Sequence, residues 1–377
     1  MRILTTAGGT GGHIYPLLAV ISELQKEAQK NKISLRIRYL GSAGQKYRSL
    51  LESKGVKTQK IMGSKMRRYF SISNLVDMPK FILSIFQALW KVFWFMPDVV
   101  FSKGGSGSIP VVLAARFYRI PVVIHETDSI PSLTGRITGN FANVIAVSFE
   151  SAGEYFSGKK GRLVITGNPV RASLLERHVD EKSAKSYFRF SSDFPCILVL
   201  GGSQGAVSIN DFVLGNLRNI LGIAQVLHQV GEKNYGDFLG EYAVVKKELS
   251  KELMGRYKPV EYFNEDLDVA LSAADIVVSR AGGAIFEIAA FRKPSILVPL
   301  AGSADGHQMK NAIEYSKTGA AIMFEQENLL PNLFISTVKD LFTSPNKLIE
   351  MSKAADTFYR PDAALKLARI ILTIKGK

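Results

Sequence analysis

The chain has 377 residues, 46% hydrophobic and 21% charged, a balance that fits a globular protein of about two domains rather than a disordered chain. A single cysteine, Cys196, lies in an apolar run, which excludes a disulfide framework and a cysteine-based metal site and fits a reducing compartment. The net charge of +15 is uneven: residues 1–170 hold 23 Lys and Arg against 9 Asp and Glu, whereas residues 171–377 hold 25 against 24. The basic half suits an anionic surface or ligand.

Met1-Arg2-Ile3-Leu4 enters the first predicted strand directly, and no signal peptide is expected. Strands are predicted near 1–6, 33–40, 57–61, 98–102, 121–125, 143–147 and 161–165, with helical runs between them. The alternation predicts a parallel sheet covered by helices. Several strands run into small-residue loops, first Gly8-Gly9-Thr10-Gly11-Gly12-His13, then Gly41-Ser42-Ala43-Gly44, then Lys103-Gly104-Gly105-Ser106-Gly107-Ser108. Such loops let backbone approach a ligand, and a following helix offers its amides to an anion. The first loop lacks the third glycine of a dinucleotide fingerprint, the next strand ends without a ribose-binding acid, and no Walker loop is present. His125-Glu126-Thr127-Asp128 ends another strand on the side where ligands of doubly wound folds sit.

Between Pro79 and Pro97, Lys80 to Met96 predicts a helix whose polar residues, Lys80, Ser84, Gln87 and Lys91, form one narrow stripe. It is too short and too charged to span a bilayer. Just upstream, Lys65, Arg67, Arg68, Tyr69 and Phe70 form a basic-aromatic cluster. Two readings stand: a helix half buried on its own sheet, or one whose outer face docks on an anionic membrane surface. Nucleic acid is a further possible partner of such a cluster, but the glycine loops argue against it.

Gly167-Asn168-Pro169-Val170-Arg171 is the expected hinge. Beyond it, strands are predicted near 196–200, 223–230, 258–262, 275–279, 295–299 and 320–324. Gly201-Gly202-Ser203-Gln204-Gly205 echoes the first loop, so a second domain of similar build is expected. Arg280-Ala281-Gly282-Gly283-Ala284 opens a helix suited to a diphosphate, with Glu287 one turn in, placed to accept ribose hydroxyls or simply to favour the helix N-terminus. Asp266-Leu267-Asp268 spells a D-x-D metal motif but also reads as an acidic first helical turn. No metal and no cofactor are expected.

Together these residues resemble the bacterial peptidoglycan transferases that add N-acetylglucosamine to undecaprenyl-pyrophosphoryl-N-acetylmuramoyl-pentapeptide. The matching points are Gly8–His13, His125-Glu126, Gly167–Arg171, Gly201–Gly205, Arg280-Ala281-Gly282 with Glu287, and Asp305 with Gln308 and Asn311, in the family's order over nearly the whole chain. The resemblance implies an α/β fold of two Rossmann-like doubly wound domains facing across a cleft (GT-B). Residues 1–167 would bind acceptor and membrane, with helix 358–377 packing back on them, and residues 168–357 would hold UDP-N-acetylglucosamine. It implies inverting transfer to the 4-hydroxyl of the lipid-linked muramoyl sugar, on the cytoplasmic face of the cell membrane, with other cell-wall synthesis proteins as candidate partners. Donor contacts would come from Thr10, Gly11, Gly12, Asp128, Arg171, Ser203, Phe263, Gly283, Ala284, Glu287 and Gln308. For the catalytic base His13 is favoured, with Glu126 and Asp128 as rivals, since an imidazole suits proton transfer near neutrality. The chain departs from the usual family pattern at Thr127-Asp128, where Gln-Asn is common, at Ser106 and His307, and in a loop 280–287 one residue short. A UDP-N-acetylglucosamine epimerase of similar fold is the alternative.

Overall fold

The computed structural model describes residues 1–62, 72–177, 179–202 and 205–374. The chain divides into two compact units, residues 1–172 with 360–377, and residues 173–359.

In the first unit the strands are β1 (Arg2–Thr6), β2 (Arg36–Gly41), β3 (Lys57–Lys60), β4 (Val99–Ser102), β5 (Val122–Glu126), β6 (Val144–Val147) and β7 (Arg162–Ile165). They form one sheet in the order β3-β2-β1-β4-β5-β6-β7, every neighbouring pair parallel. Central strands such as Val99-Val100-Phe101-Ser102 are buried throughout, as strands covered on both faces must be. The order reverses between β1 and β4, which are paired Ile3 to Val99 through Thr6 to Ser102. This register places the loops after β1 and β4 side by side, at the switch point where doubly wound sheets bind ligands.

Helix α1 (Gly11–Lys30) follows β1 and buries Ile14, Leu17, Val20, Ile21 and Leu24 at helical spacing. The C-terminal helix Ala363–Thr373 packs beside it, burying Leu367, Ala368 and Ile371 in the same core, with Arg369 Nε 3.1 Å from Glu27. Helix α2 (Gln45–Glu52) covers the edge near β3.

Helix α3 (Ile72–Phe95) is built inside out. Three residues of its polar stripe face the protein, while Lys80 is exposed: Ser84 is buried, Gln87 accepts from the Met62 amide at 2.9 Å, and Lys91 Nζ donates to the Lys60 carbonyl at 2.6 Å. Ala88, Val92 and Phe95 are buried beside them. Met78, Ile82, Phe86, Trp90 and Trp94, four residues apart, are exposed, Trp90 at 65% and Trp94 at 67%. Helix α4 (Ile109–Phe117) packs against α3, and its exposed Phe117 extends the patch through Tyr118 to Phe93. The basic-aromatic cluster at 65–70 lies outside the described residues. Among the described residues no helix is long and apolar enough to cross a membrane.

The second unit repeats the plan. Its strands are β8 (Cys196–Leu200), β9 (Gln225–Gln229), β10 (Tyr257–Val260), β11 (Ile276–Ser279), β12 (Ser295–Leu297) and β13 (Ala321–Met323), in the parallel order β10-β9-β8-β11-β12-β13. Cys196 is a buried free thiol in β8.

Candidate active site

In the first unit the site is set by close packing of glycine loops around one imidazole. Thr10 is the N-cap of α1, and its Oγ1 lies 2.9 Å from His13 Nδ1. A Cβ on Gly8 would stand 2.9 Å from His13 Nδ1 and 3.2 Å from the Gly105 Cα, so Gly8 lets the ring and the β4 loop approach. Gly104 and Gly105 have φ of 83° and 85°, which a side chain would strain. By contrast, a Cβ on Gly12 would meet nothing within 4 Å, so this turn is open. Gly11 is buried at the start of α1. Burial, then the charge of Lys103, pushes His13 down to about 4, against the opposing pull of Asp128. The ring is therefore neutral near pH 7.

The exit of β5 carries the remaining polar groups. Glu126 is buried with both oxygens engaged: one accepts the Thr127 amide at 3.1 Å, the other the Ser132 amide and hydroxyl, each at 3.2 Å. Ser132 in turn caps helix α5 (Leu133–Gly139) through the Gly135 amide. Burial, then Asp128, raises the Glu126 carboxyl. Glu126 thus anchors a loop, which weighs against it as the base. Asp128 is half-buried beside it. His125 is buried, its Nε2 2.9 Å from the Gly167 carbonyl, and its Nδ1 has no protein hydrogen-bond partner. Burial, then Lys103, holds it well below the usual range, so it is neutral and fastens the β5 exit to Gly167. Arg171 is buried, with its guanidinium 4.0 Å from the centre of the Tyr15 ring, two residues after His13 on α1.

In the second unit the predicted donor residues gather at the carboxyl ends of the strands. Gly283 is the N-cap of the helix Ala284–Ala290, with Ala284 its first residue and Glu287, half-buried, in its first turn. Cβ atoms on Gly282 and Gly283 would meet nothing within 4 Å, so this helix start is open. Gln308, in the first turn of the helix His307–Lys317, accepts from the Leu300 amide at 3.0 Å. Asn311 on the same helix is buried and donates to the Ala281 carbonyl at 3.0 Å, fixing the loop after β11. Ser203, expected in the loop after β8, lies outside the described residues.

Three further stretches take a definite form in the structure. The Phe263 ring is 1% exposed and packs edge-on against Phe188, and the Phe263 amide donates to Gln229 Oε1 at 3.0 Å. Arg280 spends its guanidinium on the fold, donating to the Val298 carbonyl at 2.8 Å, Ser208 at 2.7 Å and Gln326 at 2.8 Å. In the D-x-D stretch, Asp266 is the N-cap of the helix Leu267–Ala273, while Asp268 is 2% exposed and paired with Arg177 at 3.9 Å.

Sequence reasoning missed two residues. Lys103 is 1% exposed at the end of β4, and its Nζ donates to Thr127 Oγ1. Gln229, buried at the end of β9, ties Phe263 to the Gly202 carbonyl. The signal for Lys103 was its place between a mostly apolar strand and a glycine pair. Gln229 had no such signal.

Comparison with known proteins bears on both units. Residues 3–147 match the model of the glycosyltransferase family 28 N-terminal domain, and residues 196–367 that of the family 28 C-terminal domain. A Clostridium kluyveri protein named UDP-N-acetylglucosamine–N-acetylmuramyl-(pentapeptide) pyrophosphoryl-undecaprenol N-acetylglucosamine transferase is 34% identical over 372 residues, 98% of each chain. Among solved structures, Acinetobacter baumannii MurG superposes with a TM-score of 0.72 at 23% identity, covering 99% of each chain. The UDP-GlcNAc 2-epimerase of Neisseria meningitidis, bound to UDP-GlcNAc, reaches 0.70 at 17% identity, covering 99% of this chain and 100% of its own.

Proposed function

The chain belongs to the family 28 N-acetylglucosaminyltransferases that act on pyrophosphoryl-undecaprenol-linked N-acetylmuramyl-pentapeptide, and from that premise we propose how its residues carry out the transfer. It is a UDP-sugar glycosyltransferase that moves N-acetylglucosamine to this lipid intermediate. The muramoyl 4-hydroxyl attacks the anomeric carbon in line as the bond to the diphosphate breaks, inverting the centre. The hydroxyl proton goes to His13, and UDP departs as the leaving group.

The observation that carries this reading is the neutral, glycine-packed imidazole of His13 at the carboxyl ends of β1 and β4. The tautomer in which Nδ1–H donates to Thr10 leaves the Nε2 lone pair free to accept a proton. For the donor we assign the open helix start at Gly283 and Ala284 to the diphosphate, Glu287 to the ribose hydroxyls and Gln308 to the same ligand. Thr10, Gly11, Gly12 and Arg171 complete the donor contacts in this proposal, with Asp128 beside the base. Offsetting the charge of the departing diphosphate falls to the helix-start amides at Gly283 and Ala284.

We further propose that the protein works as a peripheral enzyme on the cytoplasmic membrane face. Support comes from the outward aromatic row of α3, Phe86, Trp90 and Trp94, on the basic half of the chain. An exposed apolar stripe of this kind, backed by positive charge, suits an anionic bilayer. A cell-wall synthesis protein seated on the same face is the other occupant to test.

The fold is shared with epimerases, and the α3 face is what favours the transferase, since isomerising a water-soluble sugar nucleotide calls for no lipid-facing surface. Labelled UDP-N-acetylglucosamine incubated with a short-chain lipid acceptor should pass label into an extractable β-1,4-linked disaccharide. Conversion of the sugar nucleotide without acceptor would favour the epimerase.

A further inference from the structure

Lys103 has an ammonium in a place that requires compensation, because taking such a group out of water costs several kcal/mol unless it is paired. Its Nζ donates to Thr127 Oγ1, and that hydroxyl lies 3.5 Å from the buried Asn168 Oδ1. The residues on either side of Thr127 are Glu126 and Asp128, and both carboxylates act on the ammonium through space. On its other side, the Lys103 amide donates to the Thr6 carbonyl at 2.9 Å. That bond seats the β4 loop against the β1 loop. The next residue, Gly104, faces the His13 ring, where an added Cβ would stand 3.9 Å from Nε2. One buried cation therefore sits among two carboxylates, Glu126 at the end of β5 and Asp128 in the loop after it, and one imidazole from α1, with His125 of β5 also within its field.

We propose that Lys103 is a positioning residue of the transfer reaction: its buried ammonium, held by Thr127 beside Glu126 and Asp128, offsets those carboxylates so that the neighbouring His13 imidazole stays an unprotonated proton acceptor. The inference rests on His13 being the base, and it deepens that reading by naming a charge that, in addition to burial, keeps it competent. Lys103 and Asp128 act on His13 with opposite signs, the cation disfavouring its protonated form and the carboxylate favouring it. The cation also favours ionised Glu126. Loss of Lys103 should leave the carboxylates unopposed and turn His13 toward imidazolium. Loss of the Asp128 charge should do the reverse, and loss of both should restore the balance.

The test compares the wild type, Lys103→Met, Asp128→Asn and the double variant in two measurements on the full chain. One is the pH profile of acceptor-dependent UDP release, and the other is NMR titration of the His13 ring. Lys103→Met should shift the His13 titration and the acid limb of kcat/KM upward by about one unit and cost up to about tenfold in rate on that limb, below about pH 4, with little loss at neutral pH. Asp128→Asn should shift both downward. The double variant should return toward wild type, with more activity than the product of the single effects predicts. An unmoved titration in Lys103→Met, or a double variant no better than that product, would overturn the proposal. If Lys103→Met fails to fold, an upward or absent shift in Asp128→Asn overturns it instead. Should the wild type itself show no acceptor-dependent release, the transferase reading fails, while the His13 titration still decides the role of Lys103.

Discussion

Thr10 Oγ1 and His13 Nδ1 lie 2.9 Å apart across the first turn of α1. Cap and imidazole are thereby joined, so the residue that begins the helix also orients the ring. His13→Ala should lower turnover by about 10²–10⁴-fold with little change in UDP-N-acetylglucosamine binding. Thr10→Val should lower it less, by releasing the ring. Steady-state kinetics beside calorimetric donor binding check both, and near-wild-type turnover in His13→Ala would remove it as the base.

Burial and Lys103 hold His13 at about 4, below its ordinary value. Its proton-accepting form therefore prevails from neutrality down to the region of that value and is lost as pH falls through it. The acid limb of kcat/KM should accordingly lie well below the ordinary histidine range near 6.5. A limb centred at that ordinary value would show that the ring is not shielded as described.

His228 offers a stability test away from the site. It is fully buried in β9, its Nδ1 2.8 Å from the Tyr257 hydroxyl and its Nε2 3.1 Å from Asn210 Oδ1. Burial pushes it down to about 3, so its contribution to stability is complete above the unfolded value and is lost as pH falls toward the folded one. His228→Leu should cost about 1–3 kcal/mol at neutral pH, since two buried partners lose their hydrogen bond. The variant should also lose less stability than wild type between about pH 6.5 and about pH 4. Urea melts at both pH values measure this, and parallel losses would refute it.

The outward face of α3 predicts lipid binding. Replacing Phe86 and Trp90 with Asp should weaken co-sedimentation with anionic vesicles by about tenfold or more, since each aromatic removed from water is worth about 1.5–3 kcal/mol. Activity on a short-chain soluble acceptor should persist. Unchanged vesicle binding by the folded variant would move the proposal to a protein partner.

Glu287 and Arg280 lie seven residues apart and should fail differently. Glu287→Ala should raise KM for UDP-N-acetylglucosamine about tenfold, the scale of one charged hydrogen bond, with normal stability. Arg280→Lys should lower the melting temperature, because a lysine cannot satisfy Val298, Ser208 and Gln326 together. Thermal melts and donor kinetics on both variants separate binding from scaffold.

Much of this was legible in the chain because buried parallel strands leave continuous apolar runs, and Val99–Ser102 or Cys196–Leu200 could be placed without any partner in view. The glycine loops were visible too, but their reasons were mixed. Gly8 and Gly105 serve the packing of loops and of His13, while Gly12, Gly282 and Gly283 leave open space. What local sequence could not reveal depends on neighbours distant along the chain. The compensation of Lys103 comes from β5, some 24 residues on, and the three partners of Arg280 come from three separate segments. The polar stripe of α3 was apparent by its spacing, but its inward direction follows only from the carbonyl of Lys60 and the amide of Met62. The Phe263 ring shows the same limit, since core and ligand roles both favour an aromatic after a strand.

The most direct test of the central claim is UDP release from UDP-N-acetylglucosamine by purified full-length protein, with and without a short-chain lipid-linked muramoyl-pentapeptide, in excess chelator. The account predicts release that depends on acceptor, persists in chelator and is abolished in His13→Ala. Release without acceptor, or none with it from folded, donor-binding protein, would contradict it.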